Sequence, residues 1–296
     1  ARQRKIDFLS TPFDIPSAEF LIDGLRLRRI KIPSGEITNA PLLLKIAQKQ
    51  RSVILSTGMS DLDEIEDALG VLAFGYTCPL SAPAGRDAFR DAFLSAAGQR
   101  ALRRKVVLLQ CTTEYPTPFS DVNLRAIETL KDRFGLPVGL SDHTTGITVP
   151  IAAAAREVEI IEKHMTLDKN LPGPDHQASL EPDEFRSLII AVRQVEASLG
   201  SSRKCPTPSE RKNIRIARKS IVAAKSIARG DLFSEANLTA KRPGGGLSPF
   251  FFWELCGMRA SRDFQPDALV FVNTSTLRSS SPARSWIASP PASWSG

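Results

Sequence analysis

Residues 136–164, LPVGLSDHTTGITVPIAAAAREVEIIEKH, decide how this chain folds. The apolar runs 136–141 (LPVGLS) and 159–164 (EIIEKH) are short, and each closes on small or polar side chains, the form of a strand covered on both faces. Between them, residues 148–156 carry apolar side chains at three- and four-residue spacing, the period of a helix. Strand, helix, strand in this rhythm predicts a parallel βα unit. His143 and His164 each stand at the end of a predicted strand, so a parallel sheet brings two imidazoles to one rim.

The same pattern extends toward the N-terminus. Residues 6–11 (IDFLST), 29–34 (RIKIPS), 52–56 (SVILS) and 106–112 (VVLLQCT) read as further strands, and 17–27, 41–50, 61–72 and 122–134 as helices. The reading is an α/β fold of the (β/α)₈ barrel type, whose polar strand ends form the functional rim. Six strands are visible where a barrel needs about eight, so the first two are expected to be absent from the N-terminal side. A doubly wound open sheet is the alternative. Residues 182–199 read as one long amphipathic helix that closes a first domain, 1–200. A polar, basic linker is expected over 201–214, then a small mixed domain over 215–272 with short strands at 220–224 and 238–241. The Ser-, Pro- and Trp-rich tail, 273–296, is expected to be disordered.

Composition narrows the function. Of 296 residues, 42% are hydrophobic and 24% charged, which is globular, and the net charge of +7 includes no basic stripe interleaved with aromatics outside the linker. Nucleic acid is therefore not an expected partner. The longest uncharged run, 68–85, holds Pro79, Pro83 and three glycines and reads as loop-bearing, not membrane-spanning. Four cysteines with no C-x-x-C pair exclude a zinc knuckle and a disulfide framework. No apolar run follows the basic N-terminus, so no signal peptide is read, and the cytoplasm is the expected compartment.

Two imidazoles at neighbouring strand ends suit a divalent transition metal, with other positions left to water, carboxylate or substrate oxygen; the alternative is a pair of hydrogen-bonded rim histidines. Lys31 lies inside an apolar strand, costly for an ammonium unless an anion meets it, although a lysine can also snorkel to water. Ser34 and Ser56 add hydroxyls at strand ends, and Glu36 a carboxylate. Glu114 and Tyr115 offer polar groups in a rim loop stiffened by two prolines. Asp175 follows the strand of His164 and is placed either to reach back over the site or to cap a turn.

In order along the chain, KIPSGEITNAPLL (31–43), ILSTGM (54–59), CTTEYPTP (111–118), GLSDHT (139–144), EKHMTLDKNLPGPDH (162–176) and KRPGGG (241–246) closely resemble the sialic acid synthase family. That family includes the N-acetylneuraminate, legionaminate and pseudaminate synthases, and the resemblance spans about residues 6–270. It implies a (β/α)₈ barrel followed by a small antifreeze-like (SAF) domain, in a domain-swapped homodimer. It also implies condensation of phosphoenolpyruvate with an N-acylated mannosamine-type sugar, releasing phosphate and giving a nine-carbon 2-keto acid of sialic acid biosynthesis. N-acetylneuraminate synthase is the first expectation, with legionaminate or pseudaminate specificity, or a truncated chain that only binds and dimerises, as alternatives. By resemblance, His143 and His164 hold a divalent metal, manganese first and magnesium or cobalt as substitutes. Thr11, Lys31, Ser34, Ser56 and Ser141 match positions that hold phosphoenolpyruvate. Glu36, Tyr115 and Asp175 match positions near the sugar and metal, with Glu36 expected to transfer a proton, and Arg242 is expected to reach the sugar's N-acyl group across the dimer. Thr113 stands where relatives often carry Asn, and the family's first two strands have no counterpart in this sequence.

Overall fold

The structure is a computed structural model, and it describes residues 1–272; the expectation for the 273–296 tail lies outside the described residues. The chain divides into two compact units between residues 200 and 201.

The first unit is built on a five-stranded sheet in the order β1 (Arg29–Ile32), β2 (Ser52–Ser56), β3 (Val106–Cys111), β4 (Val138–Asp142) and β5 (Ile161–Lys163). All four pairings are parallel, as the continuous apolar runs require. This is a partial barrel sheet of the TIM type. Its helices are α1 (Ile15–Glu19), α2 (Ala40–Gln48), α3 (Leu62–Thr77), α4 (Arg86–Leu94), α5 (Ala96–Lys105), α6 (Ala126–Phe134), α7 (Thr148–Ala155) and α8 (Pro182–Leu199). Side chains such as Ile30, Ile32, Leu55, Leu108 and Val138 from the strands, with Leu43, Leu69, Leu72 and Ile127 from the helices, form one buried core.

Three expectations change. Residues 6–11 form no strand: Ile6 and Phe8 are 66% and 53% exposed, and the segment has the composition of a strand without a partner to pair with. Thr11 is therefore not at a strand end. The run at 68–85 is mostly helix, because α3 continues to Thr77 with Ala68, Leu69, Val71, Leu72 and Phe74 buried, and only the segment after it is loop. Helices α4 and α5 were not anticipated; their charged, alanine-rich sequence carries a weak apolar signal, yet Phe89 packs edge-on against Phe74. Helix α6 ends on Gly135 at φ +60°, the left-handed cap that glycine adopts without strain.

The second unit starts with a helix where the sequence reads as a linker: α9 (Pro208–Ala217), opened by a capping box between Thr207 and Glu210 and by a proline in its first turn, and burying no residue. Strands β6 (Ser220–Ala223) and β7 (Leu238–Lys241) pair antiparallel over a core of Ile221, Ile227, Phe233, Leu238, Phe264 and Val270, and the short α10 (Phe252–Leu255) follows β7. Among the described residues, no helix is long and apolar enough to cross a membrane.

Candidate active site

Parallel register aligns the C-terminal strand ends: Ser56 with Leu109, Cys111 with Ser141, and Asp142 with Lys163. His143 follows β4 directly and His164 follows β5, so the two imidazoles meet, with ring centroids 5.3 Å apart and planes at 90°. The Tyr115 ring lies 4.2 Å from that of His143 and 5.6 Å from that of His164. The loop bearing Tyr115 is tied back by Thr117, whose backbone N–H donates to the His143 carbonyl at 3.0 Å.

The surroundings distinguish the two nitrogens of each ring. His143 Nδ1 is 2.8 Å from the Thr112 carbonyl, and His164 Nδ1 is 3.8 Å from Asp175 Oδ2, so an acceptor faces Nδ1 in both rings. At 2.8 Å the His143 contact is a hydrogen bond that puts its proton on Nδ1 and leaves Nε2 as a lone pair, the form in which imidazole binds metal, whereas the 3.8 Å His164 contact is too long to fix a tautomer. Burial, and then the neighbouring His143, lower the pKa of His164, keeping it neutral. The two rings thus fit a divalent metal by chemistry. Among the described residues no group of three or more His, Cys, Asp or Glu side chains is arranged to hold one, so further ligands fall to water or substrate oxygen.

A second set of groups stands beside the rings. Lys31 is buried on β1, with Nζ 3.6 Å from Glu162 Oε1; burial lowers its pKa, and Glu162 opposes that shift. Ser141 Oγ donates to the same Glu162 oxygen at 2.6 Å and lies 3.5 Å from His143 Nε2, linking the lysine to the imidazoles. Ser34 Oγ accepts from the Gly58 N–H at 3.0 Å and lies 3.6 Å from Cys111 Sγ. Ser56 Oγ and Thr113 Oγ1 are buried with no hydrogen-bond partner among the described residues. A β-carbon at Gly58 would sit 2.3 Å from Thr113 Oγ1 and 2.8 Å from Ser34 Oγ, so only glycine lets these hydroxyls converge. Buried polar groups without partners are rare, and Lys31 on the neighbouring strand β1 adds an ammonium to the same rim.

The structure therefore brings Lys31, Ser141, Glu162, His143, His164, Tyr115 and Asp175 into one connected cluster. Glu36 stays outside these contacts, its carboxylate accepting from Asn39 Nδ2 at 2.6 Å. No contact joins the half-buried Thr11 to the cluster among the described residues, and Arg242 is exposed on the second unit. The sequence reading passed over Glu162, Cys111 and Gly58 as functional groups. Glu162 was within reach: two residues before His164 on a strand, it shares that histidine's face.

A model of the NeuB family matches residues 1–204. The chain belongs to the NeuB family. A model of the SAF domain matches residues 218–271, the second unit's compact core. The NeuB-family chain is 47% identical over 270 residues to an N,N'-diacetyllegionaminic acid synthase of Campylobacter jejuni, covering 91% of this chain and 73% of that protein. It is 33% identical over 267 residues to a pseudaminic acid synthase of the same species, covering 90% and 69%. Among solved structures it resembles a sialic acid synthetase from Leptospira borgpetersenii, at 33% identity and TM-score 0.58 over 72% of this chain and 65% of that one. Its relatives are thus sugar-acid synthases, and this chain is an enzyme of that kind by family.

Proposed function

We propose that this chain is a phosphoenolpyruvate-dependent nonulosonate synthase that joins the three-carbon enol to the open-chain aldehyde of an N-acylated hexosamine and releases phosphate. The observation that supports it best is the meeting at one rim of a buried ammonium, hydroxyls without partners among the described residues, and two imidazoles whose ring centroids are 5.3 Å apart. Lys31 meets the carboxylate or phosphate oxygens, and Ser34, Ser56, Thr113 and Ser141 donate around them, which fixes the enol and excludes water from the wrong face. His143 and His164 would hold a divalent metal such as manganese, which would supply Lewis-acid polarisation of the sugar's aldehyde oxygen. Tyr115 and Asp175 orient the sugar beside the rings, and Glu36 takes a proton from the water that adds at C2 of the enol. Arg242 of one protomer meets the N-acyl group in the site of a second, in a domain-swapped homodimer.

Identity favours the legionaminate-type sugar, a hexosamine with two acetamido groups, because the relative so named is 47% identical against 33% for the pseudaminic one. N-acetylmannosamine, giving N-acetylneuraminate, is the second reading, carried by the resemblance to the Leptospira structure. The test is phosphate release by the purified 296-residue chain with phosphoenolpyruvate, manganese and each sugar, against chelator and no-sugar controls, with size exclusion run in parallel. Release that needs both sugar and metal, fastest with the diacetamido sugar, is expected. A folded dimer that releases none with any of these sugars would overturn the proposal in favour of a non-catalytic chain.

A further inference from the structure

We propose that Asp142 and Lys163 are positioning residues for the imidazole pair, an inference that rests on reading His143 and His164 as one metal-holding site. Each charged residue immediately precedes one of the histidines, and the β4–β5 ladder pairs Asp142 with Lys163 directly. Strand alternation turns these two side chains to the face opposite that of Ser141 and Glu162. There Lys163 Nζ donates to Asp142 Oδ2 at 2.7 Å, and each side chain is only 1% exposed. The same ammonium donates to the Thr144 carbonyl. The Asp142 carboxylate in turn accepts from the Thr144 backbone N–H at 3.1 Å and from its hydroxyl at 3.2 Å. Thr144 is itself fully buried.

A buried ion pair is an expensive way to hold a sheet to its helices, since burying each charge costs several kcal/mol and apolar side chains of equal volume serve stability as well. What charges add over apolar packing is direction. The bonds to Asp142 and to Thr144 grip the backbone on both sides of His143, and the ladder partner of that clamp is the residue before His164. The two ring-bearing peptides are thereby tied to each other and not to separate helices. A metal held by only two protein side chains is sensitive to that spacing, because no third ligand corrects an error in it.

The test uses the full chain with isotope-labelled histidine; its three imidazoles resolve individually, and His176, held to Thr166 Oγ1 at 2.7 Å outside the ring cluster, serves as the reference. In the metal-free wild type, ring-to-ring nuclear Overhauser contacts between His143 and His164 are expected. The double variant Asp142→Asn/Lys163→Met removes both charges together and leaves an amide oxygen at 142 to accept from Thr144, while the bond from Lys163 to the Thr144 carbonyl is lost with the ammonium. It is expected to melt within a few degrees of wild type, lose those ring contacts, leave His176 unchanged, and bind Mn²⁺ about 10- to 100-fold more weakly. A folded double variant with ring contacts and Mn²⁺ affinity both intact overturns the proposal. If the double variant is unfolded, Asp142→Glu, which keeps both charges and moves the carboxylate by one methylene, carries the same comparison: lost contacts support the proposal and retained contacts overturn it. A wild type that shows the ring contacts yet binds no Mn²⁺ removes the metal reading, and the positioning inference is then judged on the ring contacts alone.

Discussion

Two lysines at the same rim face opposite sides of the sheet, and they live in opposite electrostatic worlds. Lys163 is closed off, 2.7 Å from a carboxylate as buried as itself. Lys31 has looser neighbours, donating to the Ile32 carbonyl at 3.3 Å and standing 3.6 Å from the partly exposed Glu162, and hydroxyls with no partner among the described residues stand at the neighbouring strand ends. The outer pair is satisfied within the chain, whereas the inner group keeps hydroxyls without partners among the described residues, where the proposed anion would sit. Full satisfaction marks architecture, and partial satisfaction marks a place kept for a ligand.

Substitution separates the two sides. Lys163→Met alone strands a buried carboxylate and is expected to destabilise the first unit by about 3–5 kcal/mol in urea unfolding. Lys31→Met is expected to leave urea unfolding nearly unchanged while cutting phosphate release by about 10²–10³-fold; equal losses of stability in the two variants would erase the distinction. Ser56→Ala removes a hydroxyl that bonds nothing in the free protein, so its melting temperature should hold or rise slightly, an effect within about 1 kcal/mol, while the KM for phosphoenolpyruvate rises. The smallest expected effect is on pH. His164 has a native pKa below the ordinary imidazole value of about 6.5. Its contribution to stability is therefore complete above that value and is lost as pH falls through the lowered native one. Histidine NMR titration of wild type, with melting curves of His164→Gln across the same range, checks the direction; a midpoint above 6.5 would contradict it.

Much of this was legible in the primary structure, for identifiable reasons. The five strands that pair announce themselves as apolar runs, and α8 occupies the span its amphipathic period predicts, because both signals are local. Residues 6–11 carry the same local signal and still form no strand, since pairing depends on a neighbour that composition does not report. Helix α9 hid in a polar stretch because a capping box, not a buried face, starts it. At the site, His143, His164 and Lys31 stood out by residue type and position. Glu162 and Gly58 did not: the first matters through a partner 21 residues earlier, the second through the absence of a side chain where Thr113 and Ser34 converge.

The sheet order β1-β2-β3-β4-β5 also has a temporal meaning. Every strand pairs with the next one made, so no pairing waits for a distant part of the chain. In sequence order the strands that carry Lys31 and Ser56 precede both imidazoles. The last strand of the sheet, three residues from Ile161 to Lys163, therefore carries three separate links at once: Glu162 to Lys31, Lys163 to Asp142, and, one residue on, His164 to His143.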